Sequence, residues 1–435
     1  MIHIPKEIQV VQTDSNFERE KLVRPFGFKG GYLTELWQTV ASMESESGNR
    51  KIGLATQSVL YGDADLFAAH SESSGNALMY ILAEQALQIV RKTPFDTPIN
   101  LLDKILPEVM EEGKKLTGKS DLNPNFVYNA LISVDNAAWL LYAAEHQYHD
   151  FETMIPEAYR AALSHRNNRI AIMYQVPYGM PVEEIQQAVQ QGYFVIKIKM
   201  GQPGSESEML QKDMDRLTQI HAALKDMRTR QTADEKLIYT LDANGRYEKK
   251  ETIQRFIDHA KKIGALDQIL LFEEPLSEKN QENVADVGVR IAADESIHDE
   301  ADALKRLEQG YGAFVLKGIA KTLSLSMKTA KLAYEKNIPC LCADLTVNPI
   351  LMSWHQNLAA HLPPFPGLED MGMMETNGDM NYVNWKTMLD YHPKPDASWL
   401  QRKNGVFELN REFYQHSGGI FDTSDHYEKM MRKPV

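Results

Sequence analysis

Between Phe194 and Lys317 five short apolar runs recur, each closing on a charged group: VIKIKM, YTLDANG, LLFEEP, IAADES and AFVLKG. Each is rich in Val, Ile, Leu, Phe or Tyr, as strands buried on both faces of a parallel sheet are. The polar, helix-favouring sequence between successive runs is long enough for one crossover helix. The pattern therefore predicts strand, helix, strand, helix, with a charged side chain at each strand's C-terminal end. In a closed α/β barrel those ends meet at one mouth. RIAIMYQVPYG, near Arg169 to Gly179, reads as a first strand, and PVEEIQQAVQQG as the helix after it. Further helices are expected at about Glu206 to Met227, in KKETIQRFIDHAKKIG, in DEADALKRLEQG and in KTLSLSMKTAKLAYEKN. IPCLCAD supplies a seventh strand, and an eighth is placed near PGLEDMGMMET.

The ends of the chain follow other patterns. TELWQTVASME and KIGLATQSVL read as strands flanking a polar SESGNR turn, and the glycine-rich segment RPFGFKGGYLTE precedes them. That segment is either an ordinary flexible hairpin or one whose Arg24, Phe26, Phe28 and Lys29 close over a ligand. From Asn76 to about Glu157 apolar residues recur at spacings of three and four, as in amphipathic helices. The expected organisation is an α+β capping domain over residues 1–165, a barrel over 166–380, and an irregular tail over 381–435 that packs back on the cap.

A chain of 435 residues exceeds one ordinary core, in keeping with two domains. Its net charge of -13 argues against nucleic acid as a partner, yet lysines or a metal ion inside a cleft can still attract an anionic substrate. The start, MIHIPKEIQV, has no basic region followed by an apolar core, and no apolar run approaches the roughly 20 residues that span a bilayer. A cytoplasmic protein is expected. Cys340 and Cys342 have no companion Cys or nearby His, and read as core residues rather than a zinc site.

Chemistry enters at the strand ends. Asp242, Glu273 and Asp294 lie 31 and 21 positions apart by subtraction, each gap about one helix plus one strand, so adjoining strands would aim them at one point. A hard divalent cation such as Mg²⁺ takes such oxygen ligands and relieves their mutual repulsion. Strand alternation puts Val195, Lys197 and Lys199 on one face, and Thr240, Asp242 and Asn244 on another strand's inward face. Lys199 precedes the first acid and Lys317 follows the last, so two amines flank the acids. A lysine near other cations and partly desolvated is expected to have its pKa lowered towards neutrality, where it acts as a base. A lone acid at a strand end is commonly a cap or a salt bridge; a consecutive set is not explained that way.

With these motifs the chain resembles the enolase superfamily, within it the muconate lactonizing enzyme-like branch of the mandelate racemase/muconate lactonizing enzyme family. The resemblance is carried by Lys-x-Lys at Lys197 and Lys199, Asp-Ala-Asn at Asp242, Glu-Glu-Pro at Glu273, Ala-Asp-Glu-Ser at Asp294, and Lys317. It implies a modified (β/α)7β TIM barrel with an α+β cap, and Mg²⁺ or Mn²⁺ held by Asp242, Glu273 and Asp294. Lys199 and Lys317 would be the acid/base pair. Lys197 would lower the pKa of Lys199 and contact the substrate carboxylate, with Asn244 and Glu295 in supporting positions. The barrel lysine, and the lack of a His in IPCLCADLTVNP, separate the chain from the mandelate racemase dyad. The last-strand region GLEDMGMMETNGDM holds Glu369, Asp370, Glu375 and Asp379 but no Asp-x-Asp of the dipeptide epimerases.

The implied reaction is removal of the proton α to the carboxylate of a small substrate through a metal-stabilised enediolate, in a racemase, epimerase or cycloisomerase. Dehydration of an acid sugar by the same site is the alternative. A Schiff-base aldolase would not need the acids, and a non-catalytic carboxylate binder would leave the lysines idle. A symmetric homo-oligomer is expected.

Overall fold

A computed structural model describes residues 7–29 and 31–432, with Phe28 described in its backbone alone. Three strands, β1 (Val10–Phe28), β2 (Gly31–Ser45) and β3 (Arg50–Gln57), form an antiparallel sheet in the order β1-β2-β3. The SESGNR turn joins β2 to β3 as expected, with Gly48 at φ 86°, where a residue without Cβ is favoured. RPFGFKGG forms the tip of the β1–β2 hairpin, pairing Gly27 with Tyr32 and Phe28 with Gly31. Gly30 and the Phe28 side chain lie outside the described residues. Helices Glu72–Val90, Pro98–Thr117 and Pro124–His146 complete this α+β unit. The last lies so close to β3 that a Cβ on Gly53 would stand 2.2 Å from the Ser133 carbonyl oxygen and from the Ala137 nitrogen.

Eight parallel strands close the barrel: β4 (Arg169–Val176), β5 (Val195–Lys199), β6 (Ile238–Asp242), β7 (Ile269–Glu273), β8 (Ile291–Ala293), β9 (Ala313–Leu316), β10 (Cys340–Cys342) and β11 (Gly372–Glu375). They pair in order and β11 pairs back with β4, so no strand edge is left open within the barrel. The strands are buried almost throughout, which is why they read as continuous apolar runs rather than alternating ones. Cys340 and Cys342 are free and buried.

The crossovers depart from the expected pattern in two places. Helices Val182–Gln190, Glu206–Leu224, Lys250–Lys262, Glu300–Glu308 and Leu323–Glu335 lie where periodicity puts them. Between β7 and β8, however, the chain forms no helix. Pro275 and a left-handed Gly288 interrupt it, and the buried Arg306 guanidinium fixes the loop by donating to the carbonyls of Glu278 at 2.8 Å and Asn280 at 3.3 Å. Between β10 and β11, helix Pro349–His361 is buried along its whole length. Buried on all sides, with Ser353, His355, Gln356, Asn357 and His361 hydrogen-bonded inside the protein, it shows none of the one-faced periodicity that marks a surface helix.

The tail is not wholly irregular. β12 (Arg402–Lys403) and β13 (Val406–Glu408) form a hairpin that pairs antiparallel with β4, outside the barrel ring. Helix Asp425–Met431 instead lies against β1, where the Asn16 amide donates to the Met430 carbonyl at 2.7 Å, while Arg50 of β3 pairs with Glu428 at 2.8 Å. Among the described residues no helix is long and apolar enough to cross a membrane.

One buried acid ties the N-terminal unit to the barrel. Asp135, on helix Pro124–His146, accepts from the backbone N–H groups of Leu323 at 2.9 Å and Ser324 at 3.2 Å, and from the Ser324 hydroxyl at 2.5 Å. It thus satisfies the first turn of the helix that follows Lys317, whose donors have no partner within the helix. Burial pushes the Asp135 carboxyl up to about 7, against the lowering effect of these hydrogen bonds. A raised acid favours the folded state in its protonated form, so this contribution is complete below the ordinary aspartate range and is lost as pH rises through about 7. Relative to Asp135→Asn, the natural protein is expected to lose stability from about pH 4 to pH 7. Urea unfolding across that range checks it, and parallel curves for the two proteins would contradict it.

Candidate active site

Neighbouring strand ends deliver charged side chains to one place. Register pairs Lys199 with Asp242, Asp242 with Glu273, and Glu273 with Ala292, two residues before Asp294. Lys317 follows β9 directly. The order around the barrel is therefore lysine, acid, acid, acid, lysine, with Glu273 in the middle. All of these side chains are buried, as are Lys197, Asn244 and Glu295.

Their contacts form one network. The Lys199 ammonium donates to Asp242 Oδ2 at 2.5 Å and Asn244 Oδ1 at 3.2 Å. Lys197 stands 2.7 Å from Glu273, 2.8 Å from Glu375 and 3.0 Å from Asp242. Lys317 pairs with Asp294. Asn244, in a left-handed conformation that asparagine tolerates, bridges Lys199 to Glu295, donating to Glu295 Oε1 at 2.9 Å. Lys197, Lys199, Asp242, Asn244, Glu273, Asp294, Glu295 and Lys317 thus lie together at the barrel mouth.

The electrostatics correct one expectation. Burial opposes the charged forms of Lys197 and Lys317, but the carboxylates outweigh it. Asp242, Glu273 and Glu375 hold Lys197 well above the ordinary lysine range, and Asp294 chiefly does so for Lys317. The expected lowering of such a lysine considered neighbouring cations alone, whereas here acids surround each ammonium. Burial also works against charge on the acids, yet Lys197 and Lys199 hold Asp242 low, and Lys317 with Lys321 holds Asp294 low. Glu273 is raised instead, by burial and then by Asp242, with Asp294 adding to it.

Several groups at the site carried no clear signal in the sequence. Lys321, one helical turn beyond Lys317, is buried; it donates to the Asp294 and Ile297 carbonyls and lies 3.8 Å from Asp294 Oδ1. The spacing LKGIAK was its only trace. Of the last-strand acids, Glu375 alone reaches Lys197, while Asp379 pairs with Arg402 and Glu369 and Asp370 are exposed. Glu274, with φ 34°, accepts from the Asp294 and Ser296 backbone at 2.6 and 3.3 Å and so fixes the turn that presents Asp294 and Glu295. A pocket over the network is lined by Lys199, Lys317, Asn244 and Glu295, by Gln175, Asp344, Thr346, Glu375 and Asn377, and by Phe26, Leu33, Tyr61 and Leu345. From the hairpin tip Phe26 reaches this pocket and Lys29 comes within 3.8 Å of Glu295. Arg24 turns away to pair with Glu184 at 3.1 Å.

The sequence profile of the family described as Enolase C-terminal domain-like matches residues 181–398, half of the chain. The chain belongs to the enolase superfamily. The matched family is that of mandelate racemase and muconate lactonizing enzyme, and membership supports an enzyme. No curated protein sequence matches the chain. Among solved structures, 2-chloromuconate cycloisomerase from Rhodococcus opacus 1CP is similar with a TM-score of 0.65 at 16% identity, covering 98% of this chain and 100% of that one. A dipeptide epimerase from Enterococcus faecalis V583, complexed with Mg and the dipeptide L-Leu-L-Tyr, gives 0.63 at 16% identity, covering 92% and 97%. L-Talarate dehydratase from Polaromonas sp. JS666, complexed with Mg and L-glucarate, gives 0.60 at 16% identity, covering 93% of each chain. At such identities the likeness is one of fold.

For an enolase-superfamily protein the question is whether these residues suit Mg²⁺. Among the described residues no three acids, histidines or cysteines are drawn together around a single cation position. Lys197 bridges Asp242 and Glu273, and Lys317 sits on Asp294. The donor chemistry nonetheless fits. Both side-chain oxygens of Glu273 and both of Asp294 are buried without a hydrogen bond of good geometry, and the repulsion that raises Glu273 is what a divalent cation relieves. Holding the ion requires the three carboxylates to turn from the lysines to a common centre. Added Mg²⁺ is therefore expected to raise the thermal midpoint, by an amount equivalent to about 2.7 kcal/mol at a hundredfold excess over Kd. Asp242→Asn, Glu273→Gln and Asp294→Asn should each abolish most of that shift; equal shifts in all four proteins would contradict the ligand set.

Proposed function

We propose that this enolase-superfamily protein is an isomerase of the racemase, epimerase or cycloisomerase kind, removing the proton α to the carboxylate of a small substrate. The observation that carries the reading is a pair of buried lysines, Lys199 and Lys317, on opposite flanks of Asp242, Glu273 and Asp294. Mg²⁺, or Mn²⁺ in its place, would be held by those three acids and supply positive charge beside the substrate carboxylate.

The chain's own groups do the rest. Lys317, kept protonated by Asp294 against the cost of burial, is set to deliver a proton to one face of the substrate. Lys199 removes one from the opposite face, and the reverse reaction exchanges the two roles. Lys197 adds a fixed positive charge for the substrate carboxylate, while Asn244 and Glu295 hold the Lys199 amine in place. Phe26, Leu33 and Leu345 give the pocket an apolar side, and a less aqueous surrounding strengthens each of these interactions.

Dehydration of an acid sugar is the second reading, favoured by the polar lining that Gln175, Thr346 and Asn377 give the pocket. Incubation in D₂O with Mg²⁺ and panels of N-acyl amino acids, dipeptides and acid sugars tests both. Exchange of the α-hydrogen with retention of the skeleton is expected; release of 2-keto acids would favour the lyase. Lys199→Ala and Lys317→Ala should each slow turnover by about 10²- to 10⁴-fold. Intact exchange and turnover in both variants would contradict the assignment.

A further inference from the structure

The N-terminal unit contributes one side chain to the pocket that the reaction so far leaves unused. Tyr61 lies in the short helix Val59–Gly62, which Ser58 caps by accepting from the Tyr61 N–H at 3.3 Å. Its ring stands between two ammonium groups. Lys317 Nζ is 4.9 Å from the ring centroid and Lys29 Nζ is 5.2 Å from it, both within the range of cation–π attraction. Lys29 also donates to the Tyr61 carbonyl at 3.0 Å, so the residue is held from its backbone as well. The residue is 1% exposed and lines the pocket. Its hydroxyl is buried and has no hydrogen-bond partner among the described residues.

A buried hydroxyl left without a partner costs free energy, and one that lines a pocket gains its missing partner when a ligand's acceptor reaches it. The ligand must offer an acceptor here. Burial, reinforced by Asp294 and Glu295, keeps the phenol protonated despite the opposing effect of Lys317, so it has a proton to donate. Lys317 is the nearest working group, which places the partner atom close to the reacting carbon.

We propose that the Tyr61 hydroxyl is a substrate-binding donor, hydrogen-bonded to an oxygen that the substrate carries beside its reacting carboxylate. The pocket then selects oxygen-bearing carboxylic acids over their hydrocarbon counterparts. This rests on the proposed reading in one respect only, that the pocket binds a carboxylate. Discrimination arises because an analogue without the oxygen leaves the phenol buried and unpaired, a penalty that sites built around a polar substrate group exact strongly.

Calorimetric titration of the full chain with Mg²⁺ and, in turn, succinate, malate and tartrate tests it, since malate and tartrate differ from succinate only by hydroxyl groups. The natural protein is expected to bind a hydroxy acid about 10- to 100-fold more tightly than succinate. In Tyr61→Phe, which keeps the ring between the two lysines and fills the same space, that preference should vanish. A preference unchanged in Tyr61→Phe, or no hydroxy acid bound more tightly than succinate by the natural protein, would overturn the proposal. Because affinity is read without turnover, this failure is distinct from intact proton exchange in the lysine variants, which would sink the catalytic reading instead.

Discussion

Charge buried in excess is the constraint on which the site depends. The carboxylates of Asp242, Glu273, Glu274, Asp294, Glu295, Asp344 and Glu375 outnumber the ammonium groups of Lys197, Lys199, Lys317 and Lys321, and none of them is more than 8% exposed. Charges removed from water in this way persist only when paired, because an isolated buried ion costs several kcal/mol or more. Each lysine accordingly sits on an acid, and the surplus shows at Glu273, which burial and then Asp242 and Asp294 push up although Lys197 stands 2.7 Å away. An arrangement short of positive charge at its centre is the complement of a divalent cation. The same surplus accounts for Lys197 and Lys317 being held protonated rather than poised as free bases.

The barrel supplies the acids and lysines, but the space above them is shaped by the other unit. Phe26 and Lys29 come from the tip of the β1–β2 hairpin and Tyr61 from the short helix after β3. Asp135 joins the two units from below by capping the helix after Lys317, and Thr322, with φ 74°, makes the tight turn between them. Lys317 is thus set by contacts on both sides: Asp294 and Tyr61 at its head, and the capped turn at the end of its loop.

Much of this was legible in the sequence because barrel strands buried on both faces read as unbroken apolar runs, and a charged residue closing such a run stands out. Lys199, Asp242, Glu273, Asp294 and Lys317 were visible for that reason. Helix Pro349–His361 was hidden by burial too, since a helix enclosed on every side, with polar residues such as Gln356 and Asn357 satisfied inside, has no single apolar face to detect. The crossover helix expected between β7 and β8 from segment length is absent because Pro275 and a left-handed Gly288 interrupt it and Arg306, farther along the chain, ties down the loop. Lys321 and Tyr61 were illegible for a different reason. Their roles come from what the fold brings against them, Asp294 in one case and a pair of lysines in the other. The state of Lys317 could not be read without its partner either, because a sequence shows neighbouring cations but not the carboxylate that cancels them.

Anomalous diffraction from crystals soaked in Mn²⁺ would address the central claim most directly. The account predicts one strong peak with an oxygen of Asp242, of Glu273 and of Asp294 each within about 2.2 Å of it, the Lys199 and Lys317 amines lying on opposite sides. A peak lying away from these three residues, or both amines on the same side of it, would contradict the account.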